Sequence, residues 1–247
     1  MIAIIFFIQT QTDSLTTAVN MFEPANILKF ADHMFEQKDY QTALGEYKRY
    51  MCLGDPQPEF IGERVIECLT NLKRFDEALD EAGHFKDSAR QYYAKGMIYY
   101  LTGTYDSSRS YLAKTDPPYA DRARKLMGLG YAEEFNFQKA SEYIDLPLPL
   151  PGHKSPVLGG FLSLVPGAGH FYSGRISDGI YSLVIVGTAS ALSCYYYNRD
   201  ENIKFGFCLG AAILFYAGNI YGGINAARNY NFYQDLTYLE KIKETVK

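Results

Sequence analysis

Tryptophan is absent from the 247 residues, and cysteine and histidine are scarce, with four of each. Cys52, Cys68, Cys194 and Cys208 form no CxxC pair, and no histidine stands at metal-ligand spacing from them. That excludes the usual zinc-finger and dithiol-redox patterns, and the four thiols read as small buried hydrophobes. A Cys52–Cys68 disulfide stays open if this half of the chain is exported. His33, His84, His153 and His170 are scattered over different segments. No P-loop, HExxH or Ser/His/Asp order accompanies them, so the sequence offers no catalytic residue, no cofactor-binding motif and no metal site. Basic excess is missing as well. The formal net charge is −4, and no Lys/Arg stripe with interleaved aromatics is present. Displacing the counterions of a nucleic acid needs a positive field, so nucleic acid is excluded as a partner.

What is present is unevenly distributed. Residues 1–150 carry 16 Lys/Arg against 22 Asp/Glu, whereas residues 151–247 carry 8 against 6 and contain long neutral runs. Tyrosine (22) and phenylalanine (16) are abundant. Both suit the gaps between helices, and tyrosine suits a membrane interface, with the ring in and the hydroxyl out. At the start, Ile2–Ile8 is uniformly apolar and is followed by QTQTDS. Seven apolar residues are too short to span a bilayer but fit the core of a signal peptide. Residues 1–20 are therefore expected to be a signal peptide and leader that would export the following residues, with a first strand or helix of a soluble domain as the alternative.

Over residues 21–145 a short pattern recurs: an aromatic, two residues, then a small residue. The copies are Tyr40–Ala43, Phe75–Ala78, Tyr105–Ser108 and Phe137–Ala140, and their small residues stand 35, 30 and 32 apart. Each aromatic follows a short polar turn, and before each turn lies a segment with apolar positions at helical spacing, such as Ile27, Phe30, Ala31 and Met34. Asp55-Pro56 and Asp116-Pro117-Pro118 stop helices, because proline cannot donate the helical hydrogen bond. Two helices approach closely only over a small side chain, which accounts for Ala43, Ala78, Ser108 and Ala140. Gly96 and Gly128, each nine residues before an aromatic, are explained the same way, since glycine otherwise costs a helix about 1 kcal/mol. This stretch resembles the tetratricopeptide repeat family, in about four degenerate copies, with Gly62 departing from the usual bulky residue. The resemblance implies an α-solenoid of stacked helix pairs that binds a protein partner along a concave surface.

Residues 146–156, LPLPLPGHKSP, read as an extended linker and domain boundary in which His153 and Lys154 are solvated. Beyond it, 20 uncharged residues lie between Asp178 and Arg199, and 23 run from Phe205 to Ala227. Each matches the ~20 residues a helix needs to cross the hydrocarbon of a bilayer. The short NRDENIK segment between them predicts an antiparallel transmembrane hairpin, with spans at about 179–197 and 204–224. Tyr195, Tyr196, Tyr197, Phe205 and Phe207 cluster at one end as an interfacial belt. Gly187 with Ala191, Gly206 with Gly210, and Gly218 with Gly222 are small-xxx-small pairs. They are expected to pack the two spans together, with homo-oligomerisation as the alternative. Residues 157–165 are too few to span and end at Pro166-Gly167, predicting an interfacial or re-entrant half-helix. The run Pro166, Gly167, Gly169, Phe171, Tyr172, Gly174, then Gly179 opening a span, resembles the TM2-type membrane module of bacterial envelope proteins. Pro166, Asn219 and Asn225 are departures from it. Gly167 and Gly169 beside His170 and Arg175 read as a glycine turn at the membrane surface. Finally, Phe232, Leu236, Leu239, Ile242 and Val246 predict a separate short amphipathic C-terminal helix over 232–247.

The expected fold is therefore all-α: a TPR-like solenoid at 21–145, a linker, a TM2-like module at 157–231, and a terminal amphipathic helix. The expected function is that of a non-enzymatic, membrane-anchored scaffold for a protein partner, in envelope assembly or membrane-protein biogenesis. An oligomeric channel or transport accessory subunit is the alternative. The positive charges flanking the spans are nearly balanced, so only the N-terminal apolar run argues that the repeats are periplasmic.

Overall fold

The computed structural model describes residues 23–53, 58–147 and 149–246, all in helices, turns and irregular segments without a strand. The expected leader and the Asp55-Pro56 stop lie outside these residues. The described residues form twelve helices. They are α1 (Pro24–Glu36), α2 (Tyr40–Cys52), α3 (Pro58–Asn71), α4 (Phe75–Gly83), α5 (Ser88–Leu101), α6 (Tyr105–Leu112), α7 (Ala120–Glu133), α8 (Phe137–Ala140), α9 (Pro156–Leu162), α10 (Ala168–Tyr172), α11 (Ile176–Tyr197) and α12 (Asn202–Val246). The chain divides into two compact units between Tyr131 and Ala132. This differs from a boundary at the proline-rich segment: the fourth aromatic copy, Phe137–Ala140, folds with the C-terminal unit.

In the first unit each helix packs on the next from α1 to α6. Its turns repeat one geometry. Lys38 (φ 63°), Lys73 (φ 62°) and Gly103 (φ 74°) each take the left-handed conformation two residues before an aromatic. The amide of the next residue then reaches back five residues: Asp39 to the Met34 carbonyl, Arg74 to Leu69, Thr104 to Tyr99, at 2.9–3.0 Å. This is the Schellman helix stop, which satisfies carbonyls left over at a helix end. The following helix starts directly on the aromatic, so Tyr40, Phe75 and Tyr105 are each a first helical residue. The small residue three positions on then faces inward: Ala43 and Ala78 are fully buried and Ser108 nearly so. Gly96 and Ser108 meet, the Ser108 hydroxyl donating to the Gly96 carbonyl at 2.8 Å. A Cβ on Gly96 would stand 2.5 Å from the Leu112 side chain. Gly128 is buried too. At Gly62 the space of a bulky side chain is filled from elsewhere, by the Phe85 ring that follows α4. Larger apolar residues complete the core, including Leu44, Ile61, Val65, Ile66, Leu69 and Ile98. Tyr47 is fully buried and donates to the Asp32 carboxylate at 2.6 Å.

Of the four cysteines only Cys68 is buried, where loss of solvent pushes its thiol up to about 12; Cys52 and Cys194 are exposed, and all four are free thiols. A Cys52–Cys68 bridge is thus not formed, and burial is not the common reason for these residues.

The second unit corrects three expectations. First, no break separates a second span from a terminal helix: α12 runs for 45 residues. Its last third buries Asp235, Tyr238, Leu239 and Ile242, whereas Phe232 is exposed. The packed face is therefore rotated from the one read as amphipathic. Second, the proline-rich segment is strapped along this part of α12, and Lys154 and the still half-exposed His153 are both bonded to it or its neighbours. His153 Nε2 lies 2.8 Å from Asp235, Tyr238 donates to the Pro147 carbonyl, and Lys154 and Asn231 exchange backbone–side-chain hydrogen bonds at 2.7 and 2.9 Å. Third, Gly187, Gly206, Gly210 and Gly218 have nothing within 4 Å of where a Cβ would stand, so they do not pack the spans together. The reason is register. Buried positions recur at Gly179, Val186 and Ser193 on α11 and at Ala212, Asn219 and Ala226 on α12, seven apart. That is the seam of two helices crossing at a shallow left-handed angle. Gly206 and Gly210 lie at least about 120° round α12 from Ala212 and Asn219, given 3.6 residues per turn.

α11 and α12 are long and apolar enough to cross a membrane. Only 17% and 11% of their most apolar windows are buried. Leu183, Val184, Ile185, Ile213, Leu214 and Phe215 all face outward. A soluble core helix of this composition would be mostly covered.

Candidate functional site: a groove in the first unit and a glycine-asparagine junction in the second

The first candidate lies between α3 and α5 and is closed by the start of α7. It is a cavity of about 310 Å³ lined by Phe60, Glu63, Arg64, Ile66, Glu67, Phe85, Arg90, Tyr93, Ala94, Met97, Tyr119 and Arg122. The wall is ordered by a polar chain. Arg90 Nε donates to the Tyr119 hydroxyl at 2.9 Å, and that hydroxyl donates to Glu63 at 3.2 Å. Tyr119 stacks on Tyr93, with centroids 5.2 Å apart. Burial, and then the Glu63 carboxylate, push the Tyr119 phenol above its ordinary range, so it stays protonated and able to donate. Arg64 lies over the Phe60 ring and pairs with Glu67 at 3.0 Å. The groove therefore offers aromatic faces, guanidinium groups and carboxylates on rigid helices. Aromatic faces and guanidinium groups on a rigid frame are the side chains that recognition surfaces use. Among the described residues no group of three His, Cys, Asp or Glu could hold a metal.

The second candidate is the glycine-aromatic motif. Gly167 takes φ 84° and caps α10. A Cβ on Gly167 would stand 2.3 Å from the Gly179 carbonyl, and one on Gly179 would stand 2.4 Å from the Phe171 ring, so both positions favour glycine. Phe171 lies over Gly179 and is itself partly exposed. Gly174 (φ 81°) is the left-handed residue of the turn into α11, in open space, and Arg175 donates back to the His170 carbonyl. Tyr172 accepts from the Ser155 amide through its hydroxyl, and its carbonyl takes the Lys154 ammonium at 2.7 Å. Pro166 sits in the bend between α9 and α10.

No family model, curated protein or solved structure matches this chain. The geometry of the junction is accordingly its own guide. At its centre stands Asn219, 3% exposed. Its Oδ1 accepts from the Gly167 amide and the Ser182 hydroxyl, both at 2.9 Å, and its Nδ2 donates to the Ser163 carbonyl at 2.6 Å. A backbone amide can only donate and a carbonyl only accept, so these partners fix which way the amide points. Tyr216 donates to the next carbonyl, Leu164, at 2.9 Å. Around Asn219 three glycines let the backbones touch. A Cβ on Gly159 would meet the Gly223 carbonyl at 2.7 Å, and Cβ atoms on Gly169 and Gly223 would overlap the Ser163 hydroxyl. Gly222 packs beneath the His170 ring.

Sequence reasoning named Pro166, Gly167, Gly169, Phe171, Tyr172, Gly174 and Gly179. It did not assign Gly159, Ser163, Ser182, Tyr216 or Gly223 to this junction, and it noted Asn219 only as a departure. The available signal was an amide in an uncharged run, a group that is costly in an apolar setting unless fully bonded.

Proposed function

We propose that this protein is a non-enzymatic, membrane-anchored scaffold. α11 and α12 hold it in a bilayer, and the helical pairs of the first unit, which resemble tetratricopeptide repeats, bind a protein partner in the α3–α5 groove. The observation that carries the anchor is the outward apolar surface of both long helices. The observation that supports binding is the groove itself, where Phe60, Tyr93, Arg90 and Arg122 line one concavity. Aromatic and arginine side chains on a rigid frame are the residues that dominate protein interfaces. Export of the first unit, and a role in envelope assembly or membrane-protein biogenesis, extend the same reading.

Two measurements test it. Membranes washed with alkaline carbonate should retain the full chain; release into the supernatant would remove the anchor. A photo-crosslinking residue at position 60, used in intact membranes, should capture one specific protein, and Arg122→Glu should abolish that capture. Both positions are exposed, so the fold is spared. If no protein is captured under any condition, the scaffold reading fails. Side is tested with a periplasm-only reporter fused after Leu150 or within the loop 198–202. Activity of the loop fusion alone would put the first unit in the cytoplasm.

A further inference from the structure

The α9–α10 segment is built inside out. On α9 and the turn that follows it, the residues turned toward α12 are Gly159, Gly160 and Ser163, all buried. The residues turned away are Val157, Phe161 and Val165, which are 80%, 67% and 65% exposed. A helix pair folded in water shows the opposite arrangement. Its partner positions along α12 run in strict antiparallel order. Lys154 bonds Asn231, Gly159 touches Gly223, and Ser163 bonds Asn219. α9 therefore descends beside α12 over twelve α12 residues, about 18 Å at 1.5 Å per residue. It then turns at Pro166-Gly167, and α10 brings the chain back: the carbonyl of Tyr172, its last residue, meets the ammonium of Lys154, where the descent began. The segment thus enters and leaves on the same side, with the Lys154 side chain bridging the part of the descent that the five residues of α10, about 7.5 Å of helix, do not retrace.

The level of the turn follows from α12. Asn202 to Arg228 spans about 39 Å of helix, close to the ~40–45 Å of a bilayer with its headgroup regions. Asn219 lies about 14 Å along from Arg228, and so about 6 Å short of the middle. Irregular backbone at such depth is tolerated only where its polar groups are bonded within the protein. That condition is met at the turn. The Ser163 carbonyl and the Gly167 amide are taken by Asn219, and the Leu164 carbonyl by Tyr216. At the entry level stand Lys154, Tyr172 and Tyr230, with the ammonium 4.0 Å over the Tyr230 ring. Cation and tyrosines at one height are the signature of a headgroup boundary.

We propose that α9 and α10 form a re-entrant hairpin buried among the acyl chains of one leaflet, the leaflet on the Lys154 side. The module thus places four helical segments in that leaflet and two in the opposite one. This inference rests on α11 and α12 spanning the bilayer, and the experiment separates the two.

Full-length protein with Cys52, Cys194 and Cys208 replaced by serine, and the buried Cys68 left in place, receives one cysteine at Val157, Phe161 or Val165. Each is labelled with an environment-sensitive fluorophore in phosphatidylcholine vesicles containing lipids nitroxide-labelled either near the headgroup or near the chain end. Ile213→Cys on the outer face of α12 reports the span, and Asp200→Cys reports the loop. Quenching by the deep lipid relative to the shallow one should rise severalfold from Val157 through Phe161 to Val165. Aqueous iodide should quench the Asp200 label but not the Val165 label. If Val165 shows the shallow ratio of Val157, or is quenched by iodide like Asp200, while Ile213 responds to the deep lipid, the hairpin is overturned and the spans stand. If Ile213 itself is untouched by either lipid, the span reading falls and takes the hairpin with it.

Discussion

The two units use the same turn and opposite interiors. Lys38, Lys73 and Gly103 in the first unit, and Gly174 and Asp200 (φ 58°) in the second, all end a helix in the left-handed conformation before the next helix begins. What the turns then bring together differs. The first unit buries Tyr47, Ile61, Ile66, Leu69 and Ile98 around alanines, as a core assembled by the hydrophobic effect does. Within the second unit, α9 to α11 and the apolar part of α12 bury glycine, alanine, serine, Asn219 and one valine, Val186, and turn most of their other valines, leucines and phenylalanines outward. When the solvent is as apolar as the side chains, burying a leucine gains little. Backbone proximity and internally bonded polar groups are then what hold helices together. On the proposed membrane-anchored reading, the contrast in what is covered is a contrast in the solvent each unit is built for.

The largest expected break of that contrast is at Gly223. Gly223→Val would drive a side chain into the Ser163 hydroxyl and the Gly159 carbonyl, with backbone on one side and no flexible group to yield. We expect a loss above about 3 kcal/mol, the upper end for overpacking, seen as collapse of thermal stability in detergent. Gly210→Val on the same helix, with open space around it, should change the melting temperature by little. Equal effects at both positions would mean that close backbone approach is not what organises this unit. Next comes Asn219→Leu. It nearly preserves volume but strands the Gly167 amide and the Ser163 carbonyl. At about 1–3 kcal/mol for each unbonded buried group, the total is about 2–6 kcal/mol. A neutral outcome in detergent would show that water reaches the turn.

How much of this was readable in the sequence depends on the range of the interactions. The helical class and the two long apolar helices follow from local periodicity and from the neutral runs at 179–198 and 205–227. The aromatic residues mark helix starts because the Schellman stop and its cap occupy only the few residues before them. The strap over α12 could not be read this way. Its bonds join residues 77 to 91 positions apart, from Lys154 to Asn231 and from Tyr238 to Pro147, and no local pattern encodes them. The uninterrupted run of α12 past residue 231 was hidden for a related reason. The change from apolar to amphipathic composition there reflects a change of surroundings along one helix and was read as a change of element. The small-xxx-small pairs misled because spacing defines a face of a helix without saying which face meets the partner. The register of Ala212, Asn219 and Ala226 decided that.

In the first unit, Gly96→Ala sharpens the comparison from the other side. The added methyl would meet the Leu112 side chain at 2.5 Å and disturb the carbonyl that accepts from Ser108. Leu112 is a side chain and can shift, so the expected cost is about 1–2 kcal/mol, at the lower end for overpacking and below that at Gly223. Chemical denaturation of the first unit's helical signal in the full-length protein measures it, and stabilisation by alanine's better helix propensity would contradict the packing argument.

The smallest expected effect has the opposite sign. Lys73 holds φ 62° two residues before Phe75, where Gly103 serves in the equivalent turn before Tyr105. A side chain in the left-handed region costs about 1 kcal/mol that glycine avoids, though glycine also gives up more freedom on folding. The Lys73 ammonium additionally lies 5.8 Å over the Phe75 ring, a contact glycine would forfeit. Lys73→Gly should therefore stabilise the first unit by a few tenths of a kcal/mol up to about 1 kcal/mol. Arg74 and Glu77 just beyond the turn, bonded at 2.6 and 2.7 Å, should be undisturbed. That pair supplies a pH check on the same turn. Arg74 holds the Glu77 carboxyl below its ordinary value, so the pair's contribution is present above the unfolded carboxylate range and fades as pH falls through the lowered value. The gain from Lys73→Gly should then be the same at neutral and acidic pH. A gain that vanished in acid would assign it to charge near Glu77 instead of to the relaxed backbone.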